Sequence, residues 1–412
     1  MSELSYLEKL LDGVKVEWKT LGKVLKRTKG TKITAGQMKA LHKDNAPLKI
    51  FAGGKTVAFV DFKDIPEKDI NREPSIIVKS RGIIEFEYYD KPFSHKNEMW
   101  SYHSNNDAIS IKYIYYFLKI NEGYFQKIGG KMQMPQIATP DTDKFEVPLP
   151  CPDNPEKSLA IQSEIVRILD KFTALTAELT AELTAELNMR KKQYNYYRDQ
   201  LLSFKEGEVE WKTLGEIGKW YGGGTPSKNK IEFWENGSIP WISPKDMGRT
   251  LVDSSEDYIT EEAVLQSSTK LIPANSIAIV VRSSILDKVL PSALIKVPAT
   301  LNQDMKAVIP HENILVKYIY HMIGSRGSDI LRAAKKTGGS VASIDSKKLF
   351  SFKIPVPNIN EQQRIVEILD KFDTLTNSIT EGLPREIELR QKQYEYYRDL
   401  LFSFPKPETV SN

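Results

Sequence analysis

Two blocks of this chain occur twice at one offset, and that duplication limits the fold more than any other feature. IVRILDKF at 165–172 returns as IVEILDKF at 365–372, and QYNYYRDQLLSF at 193–204 returns as QYEYYRDLLFSF at 393–404, both shifted by 200 residues. VEWKTLG at 16–22 recurs letter for letter at 209–215, and FEVPLP and FKIPVP close the segments that follow. Between these blocks, 23–144 and 216–351 share almost nothing. The order is variable, shared, variable, shared, so one domain plan is expected twice, joined by repeated connectors.

The connectors read as helices. Ile165, Ile168, Leu169, Phe172, Leu175, Leu179, Leu183 and Leu187 recur at steps of three and four, and Ile365, Ile368, Leu369, Phe372, Leu375, Ile379, Leu383 and Ile387 repeat the pattern. Each helix therefore carries one apolar stripe. A stripe of about 40 residues, roughly 60 Å at 1.5 Å per residue, is best covered by a second such helix in a coiled coil. If the first helix leaves one variable domain and the second returns alongside it, the pair is antiparallel. Gly382 and Pro384 should break or kink the second helix. YLEKLL at 6–11 resembles YRDQLL at 197–202 just ahead of the same VEWKTLG, which makes the chain nearly cyclic.

Within the first connector, TAEL stands three times in succession at 176–187. Each added copy lengthens a helix by about 6 Å and turns it by about 40°. The tract, through Thr176, Leu179, Thr180, Leu183, Thr184 and Leu187, thus reads as a spacer between whatever the helix ends carry. Its Ala, Glu and Leu also favour helix for stability alone, so the spacing reading depends on what is spaced.

Charge bears on that. Residues 16–150 hold 22 Lys and Arg against 16 Asp and Glu, and 209–357 hold 19 against 15, leaving 17 against 23 elsewhere. Two basic domains on an acidic connector suit a polyanion gripped at two places. No long apolar run occurs and the N-terminal residues are charged, so a soluble, cytoplasmic protein is expected. The single cysteine, Cys151, excludes an internal disulfide, and the five histidines lack metal-ligand spacing.

The duplicated EQQRIVEILDKF-type helices, IPVP ahead of them, GGGTPSK with IPWISPKDM behind it, LNQDM and above all the tandem TAEL together resemble the specificity subunits of type I restriction-modification systems, in the TAEL-repeat (type IC) subfamily. The resemblance spans 1–404. It implies a mixed α/β fold with two target-recognition domains, pseudo-twofold and separated by an antiparallel two-helix coiled coil. Each domain would read one half of a bipartite double-stranded DNA target. The helices would dock two methyltransferase subunits, with restriction and translocase subunits joining that core, and one TAEL copy would correspond to one base pair of spacer. The expected boundaries are an N-terminal helical segment at 1–15, recognition domains at 16–163 and 209–357, spacer helices at 164–208 and 358–404, and a tail at 405–412. The first variable region departs from the pattern by lacking GGTPS and LNQ, which implies a divergent loop set there.

Catalysis is not expected from the chain, and no cofactor is implied. AGGKT at 52–56 lacks the small residue a phosphate-binding loop needs five positions before its last glycine, where Lys49 stands. PDNPEK at 152–157 reads as a solvated loop. No Asn-Pro-Pro-aromatic motif is present to hold an extruded adenine, so adenine methylation and ATP-dependent cleavage would belong to partners. DNA contacts then fall to loops. In the second domain the candidates are Thr225, Ser227, Lys228 and Lys230 beside Gly222 to Gly224, then Arg282, Asn302, Gln303, Lys306, Lys335 and Lys336. In the first they are Lys29, Lys32, Arg81, Lys91, Lys96, Asn97, Lys131 and Gln133, with Lys96 and Asn97 foremost for phosphate and base. An orphan DNA-binding or adaptor protein without methyltransferase partners fits the same residues, whereas a stand-alone methylating enzyme conflicts with the missing motif.

Overall fold

The structure, a computed structural model, describes residues 6–130, 134–336, 340–377 and 381–405. It divides into two units, residues 1–180 with 389–412 and residues 181–388. Both are mixed α/β and are built on one plan.

In the first unit, Val16–Thr20 pairs antiparallel with Glu146–Pro150, so VEWKTLG and FEVPLP close on each other. A four-stranded sheet runs in the order Lys26–Lys29, Trp100–His103, Ser75–Lys79, Glu85–Tyr89. A three-stranded sheet places Leu48–Phe51 between Val57–Val60 and, in parallel, Phe93–His95. The helix Ile111–Ile120 buries Tyr113, Ile114, Phe117 and Leu118 in a core that also takes Leu7 and Leu11 from the N-terminus and Leu401, Phe402 and Phe404 from the C-terminus. Trp18 Nε1 donates to the Pro405 carbonyl at 3.0 Å. The two chain ends thus share one core, and burying those side chains contributes about 1.5–3 kcal/mol each.

In the second unit, Glu210–Thr213 pairs with Lys353–Val356 as their counterparts do. The larger sheet runs Gly218–Gly222, Met305–Pro310, Ser276–Val280, Ser292–Ile295, Leu251–Val252, and the smaller one holds Ile239–Ile242 between Tyr258–Ile259 and, in parallel, Thr300–Leu301. Strands that share no sequence therefore follow one order in both units, with Leu251–Val252 added at one edge in the second. What they share is the burial pattern: Ser75–Lys79 and Ser276–Val280 are buried at every position, as central strands covered on both faces require.

The first connector is a single 47-residue helix, Pro155–Leu201. It starts inside the PDNPEK segment read as a loop, because Asn154 Oδ1 accepts from Lys157 N at 3.0 Å and Pro155 suits the first helical position. The second connector has the same cap, Asn358 Oδ1 to Glu361 N at 3.1 Å. It is interrupted as expected, into Ile359–Asn377 and Gly382–Leu401. Gly382 has φ 78°, and a Cβ there would lie 2.6 Å from the Thr374 carbonyl oxygen, so only glycine fits.

Each helix root is locked to its unit by a fully buried glutamine. Gln162 accepts from Ser110 N and donates to Ala108 O, and Gln362 accepts from Leu315 N and donates to Pro357 O. Helix pairing is repeated as well. Phe172 stacks on Tyr397 at 5.7 Å in the first unit, and Phe372 stacks on Tyr197 at 5.7 Å in the second. The contacts Phe172 to Tyr397 and Thr173 to Tyr394 run in opposite directions along the two helices, so within the first unit the pair is antiparallel. In the TAEL tract Leu179, Leu183 and Leu187 are half-buried, while neighbouring Leu175 is 50% exposed.

Candidate nucleic-acid interface

Three motifs far apart in the second variable region meet at one place. The strand Ile239–Ile242 from IPWISPKDM pairs in parallel with Thr300–Leu301 from LNQDM. Gly224 N donates to Leu301 O at 2.8 Å, Trp241 Nε1 donates to Gly224 O at 2.9 Å, and Asn302 N donates to Ile242 O at 2.9 Å. The glycines are dictated by this approach: a Cβ on Gly223 would lie 1.6 Å from the Asn302 carbonyl oxygen. Asp246 of the SPKDM segment is buried and caps Ser243 N while accepting from Glu256 N, so that motif is a brace under the loops.

On this frame the named side chains differ in exposure. Gln303 is exposed, and its Oε1 accepts from the Thr225 hydroxyl. Asn302 is buried, and its Oδ1 accepts from Asp304 N at 3.0 Å, which is the satisfied-core role for an amide. Lys228 and Ser227 are exposed, and Lys228 makes no side-chain hydrogen bond or ion pair among the described residues. Lys230 lies 4.5 Å over the Phe233 ring and Lys306 lies 5.8 Å over that of Phe350. Arg282 Nε is paired with Asp304 Oδ1 at 2.6 Å and Lys335 with Asp287 at 2.7 Å, while Lys336 is exposed with its backbone N–H on Ser343 O.

The first unit builds the same frame from different letters. Thr31 N donates to His95 O at 2.7 Å, Lys96 N to Phe51 O at 3.0 Å and Met99 N to Lys96 O at 3.0 Å. The second unit's matching bonds are Gly224 N to Leu301 O, Asn302 N to Ile242 O and Met305 N to Asn302 O. KGTK at 29–32 therefore stands where GGGT does at 222–225, and HKNEM stands where LNQDM does. Gly30 repeats the tight approach of Gly223, since a Cβ on it would sit 2.3 Å from His95 O. Arg81 matches Arg282, because Ile137 N donates to Ser80 O as Ile344 N does to Val281 O. The missing GGTPS and LNQ motifs are thus replaced on a shared set of backbone hydrogen bonds, while the flanking segments diverge: the helix Ala35–Leu41 follows KGTK, where the short turn Ile231–Phe233 follows GGGTPSK.

A depression of about 620 Å³ brings Lys29, Lys32 and Asn97 together with Lys68, which no local pattern had singled out. Lys96 is not free: it pairs with Glu98 at 2.6 Å. Burial pushes the Glu98 carboxyl up, but the Lys96 hydrogen bond and the charges of Lys96 and Arg81 outweigh it and hold the group below the ordinary glutamate value. Arg81 and Lys91 are exposed, and Lys131 and Gln133 lie outside the described residues. Beneath the loop His95 is fully buried, its pKa lowered by burial, with Nε2 3.1 Å from Ser101 Oγ. Among the described residues no cluster of His, Cys, Asp and Glu could hold a metal ion, and no helix is long and apolar enough to cross a membrane.

The structure is thus a pair of mixed α/β units with basic loops on duplicated helical connectors. Residues 14–189 and 206–389 match the type I restriction modification DNA specificity domain, and the chain belongs to that family. It is 72% identical over the whole of both chains to the EcoR124I/EcoR124II specificity subunit of Escherichia coli, and 38% identical to the EcoprrI specificity subunit of that organism over 92% of this chain and 93% of the relative. A solved structure described as showing complex assembly and conformational transition of the type I R-M system shares the fold, with a TM-score of 0.58 and 14% identity over 94% of this chain and 97% of that one.

Proposed function

We propose that the chain is the DNA-reading subunit of a type I restriction-modification complex of the TAEL-repeat subfamily, working in the cytoplasm. Each unit reads one half of a bipartite double-stranded target. The connectors set the spacer and dock two methyltransferase subunits, to which restriction subunits are added. Adenine methylation and ATP-dependent cleavage belong to those partners, and this chain binds no cofactor of its own. The observation that carries the reading is the loop frame built twice, with exposed cations and amides on it, in a chain whose relatives bear the name specificity subunit.

Affinity purification of the tagged full chain from cells that also express the methyltransferase of its system tests this. The reading expects a complex of two methyltransferase subunits per chain that binds duplex DNA specifically. A chain that binds specific DNA while retaining no methyltransferase would instead be the orphan DNA-binding protein.

A further inference from the structure

The matched loops single out one position in each unit. We infer that Asn97 and Gln303 are the equivalent base-selecting residues of the two units, each reading an adenine edge, and that Thr225 is a positioning residue for Gln303. This rests on the DNA-reading function proposed above.

Four positions of each reading loop correspond: Lys96 to Asn302, Asn97 to Gln303, Glu98 to Asp304, Met99 to Met305. Three of them are occupied by the fold. Met99 and Met305 are buried, at 2% and 1% exposure. Glu98 holds Lys96, and Asp304 holds Arg282 by its carboxylate and receives Val281 N and Arg282 N on its carbonyl. Asn302 is buried and Lys96 is tied down, so neither is at liberty to follow a base. The second position alone is exposed in both units, and in both it carries an amide.

An amide is suited to that place. It can donate to N7 and accept from the N6 amino group of adenine at once, a two-point contact that phosphate cannot reward in the same way. The carboxylate next to it would repel a phosphate were it not neutralised: Asp304 is paired with Arg282, and Glu98 is paired with Lys96, with the charge of Arg81, the counterpart of Arg282, adding to the effect. The partner of the amide is where the units differ. The Thr225 hydroxyl donates to Gln303 Oε1, which leaves the NH₂ of that amide to donate elsewhere, whereas Lys32 and Asn97 line one depression. One frame with a different residue beside the amide allows two unlike half-sites to be read by the same backbone.

The test is selection of duplexes, randomised at both half-sites, on the full chain assembled with its methyltransferase subunits, for the wild type and for Asn97→Ala, Gln303→Ala, Thr225→Val and Thr225→Ser. The wild type should select a bipartite sequence; if it selects none, the underlying function reading fails and the inference with it. With a wild-type consensus in hand, Asn97→Ala should lose roughly tenfold discrimination at one adenine of one half-site, and Gln303→Ala at one adenine of the other. Thr225→Val should blur the base that Gln303 reads, and Thr225→Ser should restore it, which a purely structural role would not produce. Unchanged half-sites, or both alanine variants relaxing the same half-site, would overturn the assignment while leaving the function standing.

Discussion

Lys228 and Lys96 looked alike as exposed lysines in polar loops, and the structure separates them. Lys228 stands in solvent with no ion pair among the described residues, whereas Lys96 is only 21% exposed and bound to Glu98. A lysine already neutralised by a carboxylate releases few counterions on meeting DNA, so under the proposed function Lys228 is expected to add to the salt dependence where Lys96 does not. Lys228→Ala should therefore flatten the slope of log K against log salt by about 0.9, one phosphate contact, across all sequences alike. Titration of duplex binding between low and moderate salt measures it, and an unaltered slope would remove Lys228 from the interface. The difference was not legible in the sequence, where KNE gives no sign of which way its lysine turns. Nor was the likeness of KGTK to GGGT, because the frame is held by backbone N–H and carbonyl groups that every residue but proline supplies. Of the glycines, Gly223 stood out within the run Gly222 to Gly224, whereas Gly30, where a second backbone likewise comes within reach of a Cβ, did not.

At the scale of elements, the periodic stripes gave both helices, and the Gly382 break was readable from its letters. The start of the first helix was not, because its cap lies in a segment whose charges and prolines also suit a loop. Two helices cover only a narrow stripe, which is why Leu175 keeps half its surface in water. The stacked aromatic pairs are a contact between connectors that both units repeat. Phe172→Ala and Phe372→Ala remove equivalent rings from Tyr397 and Tyr197. Each should cost about 1 kcal/mol, or roughly 2–4 °C in melting temperature for a unit of this size. Calorimetry of the two variants checks the equivalence: a clear loss in one and none in the other would mean that the repeated stacking does not reflect a repeated structural role.

For the whole molecule, the duplication at an offset of 200 was the most informative line in the sequence, since it foretold two units of one plan before any strand was assigned. The excess of positive charge in the two variable regions foretold only a polyanion. What neither could supply is which bases are read, because base choice depends on single side chains held by a frame that tolerates many letters. The proposed function requires two independent readers whose spacing is set by a helix of counted length. Mapping methylated adenines in DNA modified by the full assembly tests it most directly, for the chain as it stands and for a deletion of residues 184–187. Removing one repeat shortens the helix by about 6 Å, against about 3.4 Å per base pair, an upper limit of about two base pairs. Shortening one helix of a pair reduces that toward one. A bipartite motif is expected in both, with the same half-sites and a spacer one base pair shorter in the deletion. A contiguous motif, or a bipartite one whose spacer does not change, would contradict it.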